Sequence, residues 1–172
     1  MHYEEPKKMP IALRYGLMAG LLIIIYSLIL QFADMQMSKI GMFSYVFLLL
    51  SIILAYRDYK RQNQGFMSYG QGLGVGTLVA LVAGVLSGVF TYINLKFIDT
   101  GLMDRAMEMQ RAQLEEAGTM SDEEIEMAMQ MGAKFSTPEM AFISAILGII
   151  VIGFLMSLVI AAAMRNPRPE FE

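Results

Sequence analysis

The sequence predicts an all-α, polytopic membrane protein: four transmembrane helices with an extramembrane helical hairpin between helices three and four. Three observations predict it. Apolar residues make up 56 % of the chain and charged residues 17 %, whereas ordinary soluble domains run at ~45–50 % and ~25 %. The apolar residues are gathered into four blocks. Lys and Arg collect in alternate connections between those blocks, the asymmetry that orients spanning helices. At 172 residues the chain fits a single domain.

A bilayer core of ~30 Å needs ~20 apolar residues at ~1.5 Å rise each. The first span is expected over residues 12–33, after a short polar leader with two prolines, MHYEEPKKMP. Its length exceeds a signal-peptide core, and Gln31 and Asp34 at its end do not resemble a cleavage site, so a retained helix is expected. The second span is expected over 37–56, the third over 71–95 and the fourth over 140–164. Spans three and four carry no charge inside. Four such runs leave no polar face for water, which argues against buried helices of a soluble protein.

Eight of the thirteen Lys and Arg residues fall on one side: Lys7, Lys8, Arg14, Arg57, Lys60, Arg61, Arg165 and Arg168. That side is expected to be cytoplasmic and to hold both termini. Eleven of the sixteen acidic residues fall on the other. Tyr15, Tyr56, Tyr59 and Tyr69 are expected at the cytoplasmic interface; Phe32, Phe43, Tyr45, Tyr92, Phe97 and Phe142 near the opposite one.

Residues 96–138 are the only sizeable polar segment. Met103, Met107, Gln110 and Leu114 share one face of a helix ending near Ala117, and Gly118 is placed as its stop. Ser121-Asp-Glu-Glu124 is a capping-box pattern opening a second helix to about Lys134. Pro138 fits the first turn of helix four, where its missing N–H costs nothing.

Composition excludes several chemistries. There is no cysteine, hence no disulfide, catalytic thiolate or cysteine metal site. The single histidine, His2, lies at the N-terminus and leaves no histidine zinc site or Ser-His-Asp arrangement. The methionines of 103–131 are soft ligands that suit Cu(I). But Met127, Met129 and Met131 alternate along a helix and point to different faces, so packing or partner contact is the better reading. The acidic run 122–126 lacks the ordered oxygen spacing of a calcium loop. No metal, cofactor, catalytic residue or nucleic-acid partner is expected.

Two features carry functional hints. Gly72, Gly76, Ala80, Gly84 and Gly88 recur every four residues and form a small-residue ridge, suited to close helix packing inside the bundle or to a homo-oligomer. Asp34, Asn94, Lys96 and Asp99 form a polar group at the outer ends of helices one and three, with Lys96 and Asp99 spaced for an ion pair. A faint repeat pairs Tyr15-Gly16 and Gly20 with Tyr69-Gly70 and Gly74. No ionisable residue lies in the middle third of any span, which argues against ion-coupled transport.

The run Ser68-Tyr-Gly-Gln-Gly through Phe90-Thr-Tyr-Ile-Asn-Leu-Lys-Phe-Ile-Asp99, the later Gly118-Thr-Met-Ser-Asp-Glu-Glu-Ile-Glu126, and the order of elements resemble the domain of unknown function 4199 family. The resemblance covers almost the whole chain. It implies a small bacterial protein of the inner membrane, with the hairpin in the periplasm, and supplies no catalytic residue. The expected function is that of a non-enzymatic scaffold or accessory subunit, in contact with membrane lipid and with a second copy or a membrane-protein partner. The alternatives are a small channel or transporter, and a lipid-acting enzyme using the outer polar group.

Overall fold

The structure, a computed structural model, describes residues 6–36 and 38–168. His2, Glu4, Glu5 and Met37, the last being the expected start of the second span, lie outside the described residues. Among those described there are six α-helices and no strand: α1 Lys8–Phe32, α2 Ser44–Gln62, α3 Tyr69–Ile93, α4 Leu102–Ala117, α5 Asp122–Phe135 and α6 Pro138–Met164. Four stretches are long and apolar enough to cross a membrane: Lys8–Phe32, Lys39–Gln62, Tyr69–Ile98 and Pro138–Met164.

Each boundary has a local cause. Helix α1 begins at Lys8, four residues before the expected span, because Pro10 falls in the first turn and removes no helical hydrogen bond. The end of the leader is therefore helical. The helix stops where Asp34 turns left-handed (φ 52°) and the Met35 amide donates back to the Leu30 carbonyl at 2.9 Å. Residues Lys39–Phe43 form a 3₁₀ turn, capped by Ser38, instead of the start of a long α-helix. Helix α2 continues six residues past Tyr56, through the charged run expected to be loop. It ends at Asn63, with Gln64 (φ 56°) and Gly65 (φ 89°) reversing the chain.

Helix α3 opens with a reciprocal cap: the Gln71 amide donates to Ser68 Oγ, and the Ser68 amide donates to Gln71 Oε1. A π-turn, Asn94–Ile98, extends it. Gly118 is left-handed at φ 60° and ends α4. Ser121 and Glu124 form the capping box that opens α5.

The chain divides into two compact units, residues 1–87 with 146–172, and residues 88–145. In the first unit α1 and α3 run parallel, with Gly16 against Val79 and Val82 and Gly20 against Ala83 and Leu86. Helix α2 runs antiparallel to α1: Arg14 meets Asp58 at one end, and the Tyr26 and Phe47 rings meet edge-on at 5.6 Å toward the other. The core comprises Ala12, Ala19, Leu48, Ile52, Ala55, Tyr56, Tyr59, Val75, Val79, Ala80, Ala83 and Ala161, with their neighbours. Large apolar side chains such as Leu21, Ile25, Leu50, Val85, Leu155 and Val159 are exposed, the arrangement of helices that meet lipid rather than water.

In the second unit α4 and α5 are joined by the Gly118 turn. Ile125 is the one fully buried residue of the pair, and Arg111 on α4 faces Glu126 on α5 at 3.8 Å.

Candidate functional site

The small-residue ridge of α3 meets a second ridge that sequence reasoning missed. Gly72 lies against Ala161, Gly76 against Ser157, Ala80 against Gly153, and Gly84 against the Ile146 carbonyl and Ile149. The α6 residues Gly153, Ser157 and Ala161 are themselves spaced by four and are buried. The two helices therefore close as an antiparallel zipper at backbone distance. A Cβ on Gly76 would overlap the hydroxyl oxygens of Ser157 and Tyr56, and one on Gly153 would overlap Ala80. Ser157 Oγ donates to the Gly153 carbonyl at 2.6 Å, which satisfies its hydroxyl inside the helix. Gly88, the last residue of the ridge, is buried and belongs to the second unit. The signal on α6 was present in the sequence, but it stood inside a uniformly apolar run.

The basic end of the first unit holds the most built polar arrangement. Asp58 on α2 has a side chain only 6 % exposed. Arg61 Nη2 donates to its Oδ1 at 3.1 Å, and Arg14 Nη1 lies 3.9 Å from Oδ2. Both arginine side chains remain largely exposed, at 72 % for Arg14 and 80 % for Arg61. Tyr56 and Tyr59, expected at the headgroup level, are fully buried among the helices; only Tyr15 and Tyr69 keep some exposure.

The tail is stitched to the α2–α3 connection. Met67 and Asn166 exchange both backbone hydrogen bonds at 2.8 Å, and Asn166 Nδ2 donates to the Gly65 carbonyl at 3.0 Å. Arg168 stacks 5.2 Å from the Phe66 ring and donates to Gln64 Oε1 at 2.9 Å. Lys60 Nζ donates to the Met164 carbonyl. The start of α1, the α2–α3 connection and the end of α6 thus share one end of the unit, as four alternating spans require.

The four residues expected to form an outer polar group divide between the units. Asp34 belongs to the first, where it is the exposed turn residue closing α1. The other three belong to the second. Asn94 is buried, and its carbonyl accepts from the Asp99 amide at 2.7 Å, the π-type bond of the turn. Lys96 Nζ donates to the Tyr92 hydroxyl at 2.6 Å and lies 4.0 Å from Glu139. Asp99 accepts from Arg105 Nη2 at 2.6 Å. Among the described residues no group of three His, Cys, Asp or Glu side chains is placed to hold a metal ion.

A family model described as a protein of unknown function, DUF4199, matches residues 14–166. The chain belongs to the DUF4199 family. No curated protein and no solved structure matches it. The DUF4199 match begins at Arg14 and ends at Asn166, so it contains the Asp58 ion trio, the α3–α6 zipper and the clip between Met67 and Asn166.

Proposed function

We propose that this DUF4199 protein is a non-enzymatic scaffold or accessory subunit of the bacterial inner membrane, with its basic end in the cytoplasm and the α4–α5 hairpin on the outer face. One observation carries the reading: an exposed apolar stripe along α5. Met127, Met131 and Phe135 stand one helical turn apart on α5 and are 61 %, 64 % and 62 % exposed. In a soluble segment such a stripe marks an interaction surface, and methionine adapts to a partner's contour. The α3 ridge is occupied by α6, which favours packing within one chain over self-association through that ridge.

The test is a photo-crosslinking amino acid at Met131 in the native host. A scaffold gives discrete protein adducts, which disappear when Met127 and Phe135 are changed to Ser. Adducts to lipid alone, or none, would count against it.

A further inference from the structure

We propose that the seam between α1 and α2 binds an anionic phospholipid, its phosphate held by Arg14 and Arg61 and its acyl chains lying along the apolar rows below them. Two guanidinium groups share one carboxylate, that of Asp58, which leaves a net positive charge at the seam. The Asp58 side chain is buried and the arginine side chains are largely exposed, so Asp58 anchors the arginines from within and leaves them facing outward. Arg14 is further steadied over the Tyr15 ring, 5.5 Å from its centroid. A pair of oriented guanidinium forks fits phosphate oxygens better than lysine charges do.

The chain below this pair decides between a free anion and a lipid. Below Arg14 the i, i+4 row of α1 runs through the half-buried Met18 and through Leu22, 37 % exposed, to Tyr26. Arg61 shares its face with Leu54 and Leu50, exposed at 40 % and 50 %. The ion contacts and the Tyr26–Phe47 ring pair place these rows on either side of one seam. An anion site heading two lipid-facing apolar rows is matched by a molecule with a phosphate and acyl chains, and by no free phosphate. This site lies apart from the α5 stripe, so it stands or falls independently of the scaffold reading.

The experiment is native mass spectrometry of the full-length protein in detergent, titrated with phosphatidylglycerol and with phosphatidylcholine of the same acyl chains. The expected result is about tenfold stronger retention of phosphatidylglycerol, the scale of two charge-assisted hydrogen bonds partly offset by solvation. The triple variant R14Q/D58N/R61Q removes the site without leaving a buried unpaired carboxylate, and should bind both lipids alike. Arg165→Gln removes the same net charge at the same end and should keep the preference. Equal retention of the two lipids by the unaltered protein would overturn the proposal, with no variant needed. So would an equal loss in the triple variant and in Arg165→Gln, which would indicate diffuse charge. Displacement of the lipid by glycerol phosphate at matching concentration would overturn it too, because the apolar rows would then contribute nothing.

Discussion

Gly76 shows how much can depend on one missing carbon. Any side chain there displaces two hydroxyl groups from two other helices. Gly76→Ala is expected to destabilise by about 1–3 kcal/mol, the usual range for overpacking. At Gly148, in another spanning helix, an added methyl group would meet nothing within 4 Å. Gly148→Ala should be neutral or stabilise by about 0.5–1 kcal/mol through helix propensity. Reversible unfolding in mixed micelles, run on both variants, separates close packing from simple glycine content. Outside the spans, Glu124 is held below its ordinary value of 4.5 by the Ser121 backbone amide and then the Ser121 hydroxyl. A depressed carboxylate contributes stability that is fully present above its ordinary value and is lost as pH falls through its folded value. The start of α5 should therefore fray selectively as pH drops below 4.5, seen as faster amide exchange at Glu124 and Ile125. Near-neutral changes in pH should leave it unchanged. Arg111 is shifted upward, chiefly by its hydrogen bond to Glu115; it stays charged throughout this window.

At the scale of elements, the α1–α2 seam is joined by a carboxylate with two cationic neighbours. Removing one arginine leaves the other in place, so Arg61→Gln should cost under about 1 kcal/mol, as for exposed pairs. Removing both leaves Asp58 buried without a counter-charge. The double variant should cost more than the two single costs added, by about 1–3 kcal/mol, and Asp58→Asn should recover most of that excess. A double-mutant cycle with strictly additive costs would contradict the shared carboxylate. The elements also show what a sequence carries. The Gly118 stop, the Ser121–Glu124 box and the Pro138 start were legible because each depends on residues within one turn. The α3 ridge was legible because glycine at every fourth position stands out. Its counterpart on α6 was hidden, since Gly153, Ser157 and Ala161 sit among Ile, Leu and Val, and the register of α6 against α3 is a tertiary fact. Asp58 was missed for a related reason. It stands in a charged run that reads as solvated loop, yet α2 continues through that run and turns Asp58 inward. Around the Tyr15 and Tyr69 segments the glycines meet different neighbours: Gly16 and Gly20 are pressed against α3, Gly74 lies against the Lys8 side chain, and Gly70 has open space around it.

At the scale of the whole molecule, the alternation of basic segments in the sequence and the geometry of the first unit agree. Lys8, Arg14, Lys60, Arg61 and Arg168 all gather at the end where the tail is clipped to the α2–α3 connection. Concentrated Lys and Arg favour the cytoplasmic side, and on the proposed topology the acidic hairpin then faces the other compartment. The clip makes a further prediction: Asn166→Pro removes the amide that donates to Met67 and should speed exchange of the Met67 amide several-fold, leaving helix content intact. The central claim is the four-span topology with both described ends of the chain on one side, and single-cysteine labelling tests it without background, because the sequence has no cysteine. Cysteines would be placed singly at Gln113 on α4 and at Arg165 after α6, both exposed, and treated with a membrane-impermeant maleimide in cells whose outer barrier is permeabilised. The account predicts labelling at Gln113 and protection at Arg165 until the inner membrane is lysed. Labelling at Arg165 with protection at Gln113 would reverse the orientation and put the α5 stripe in the cytoplasm, and equal labelling at both sites would contradict the alternating spans themselves.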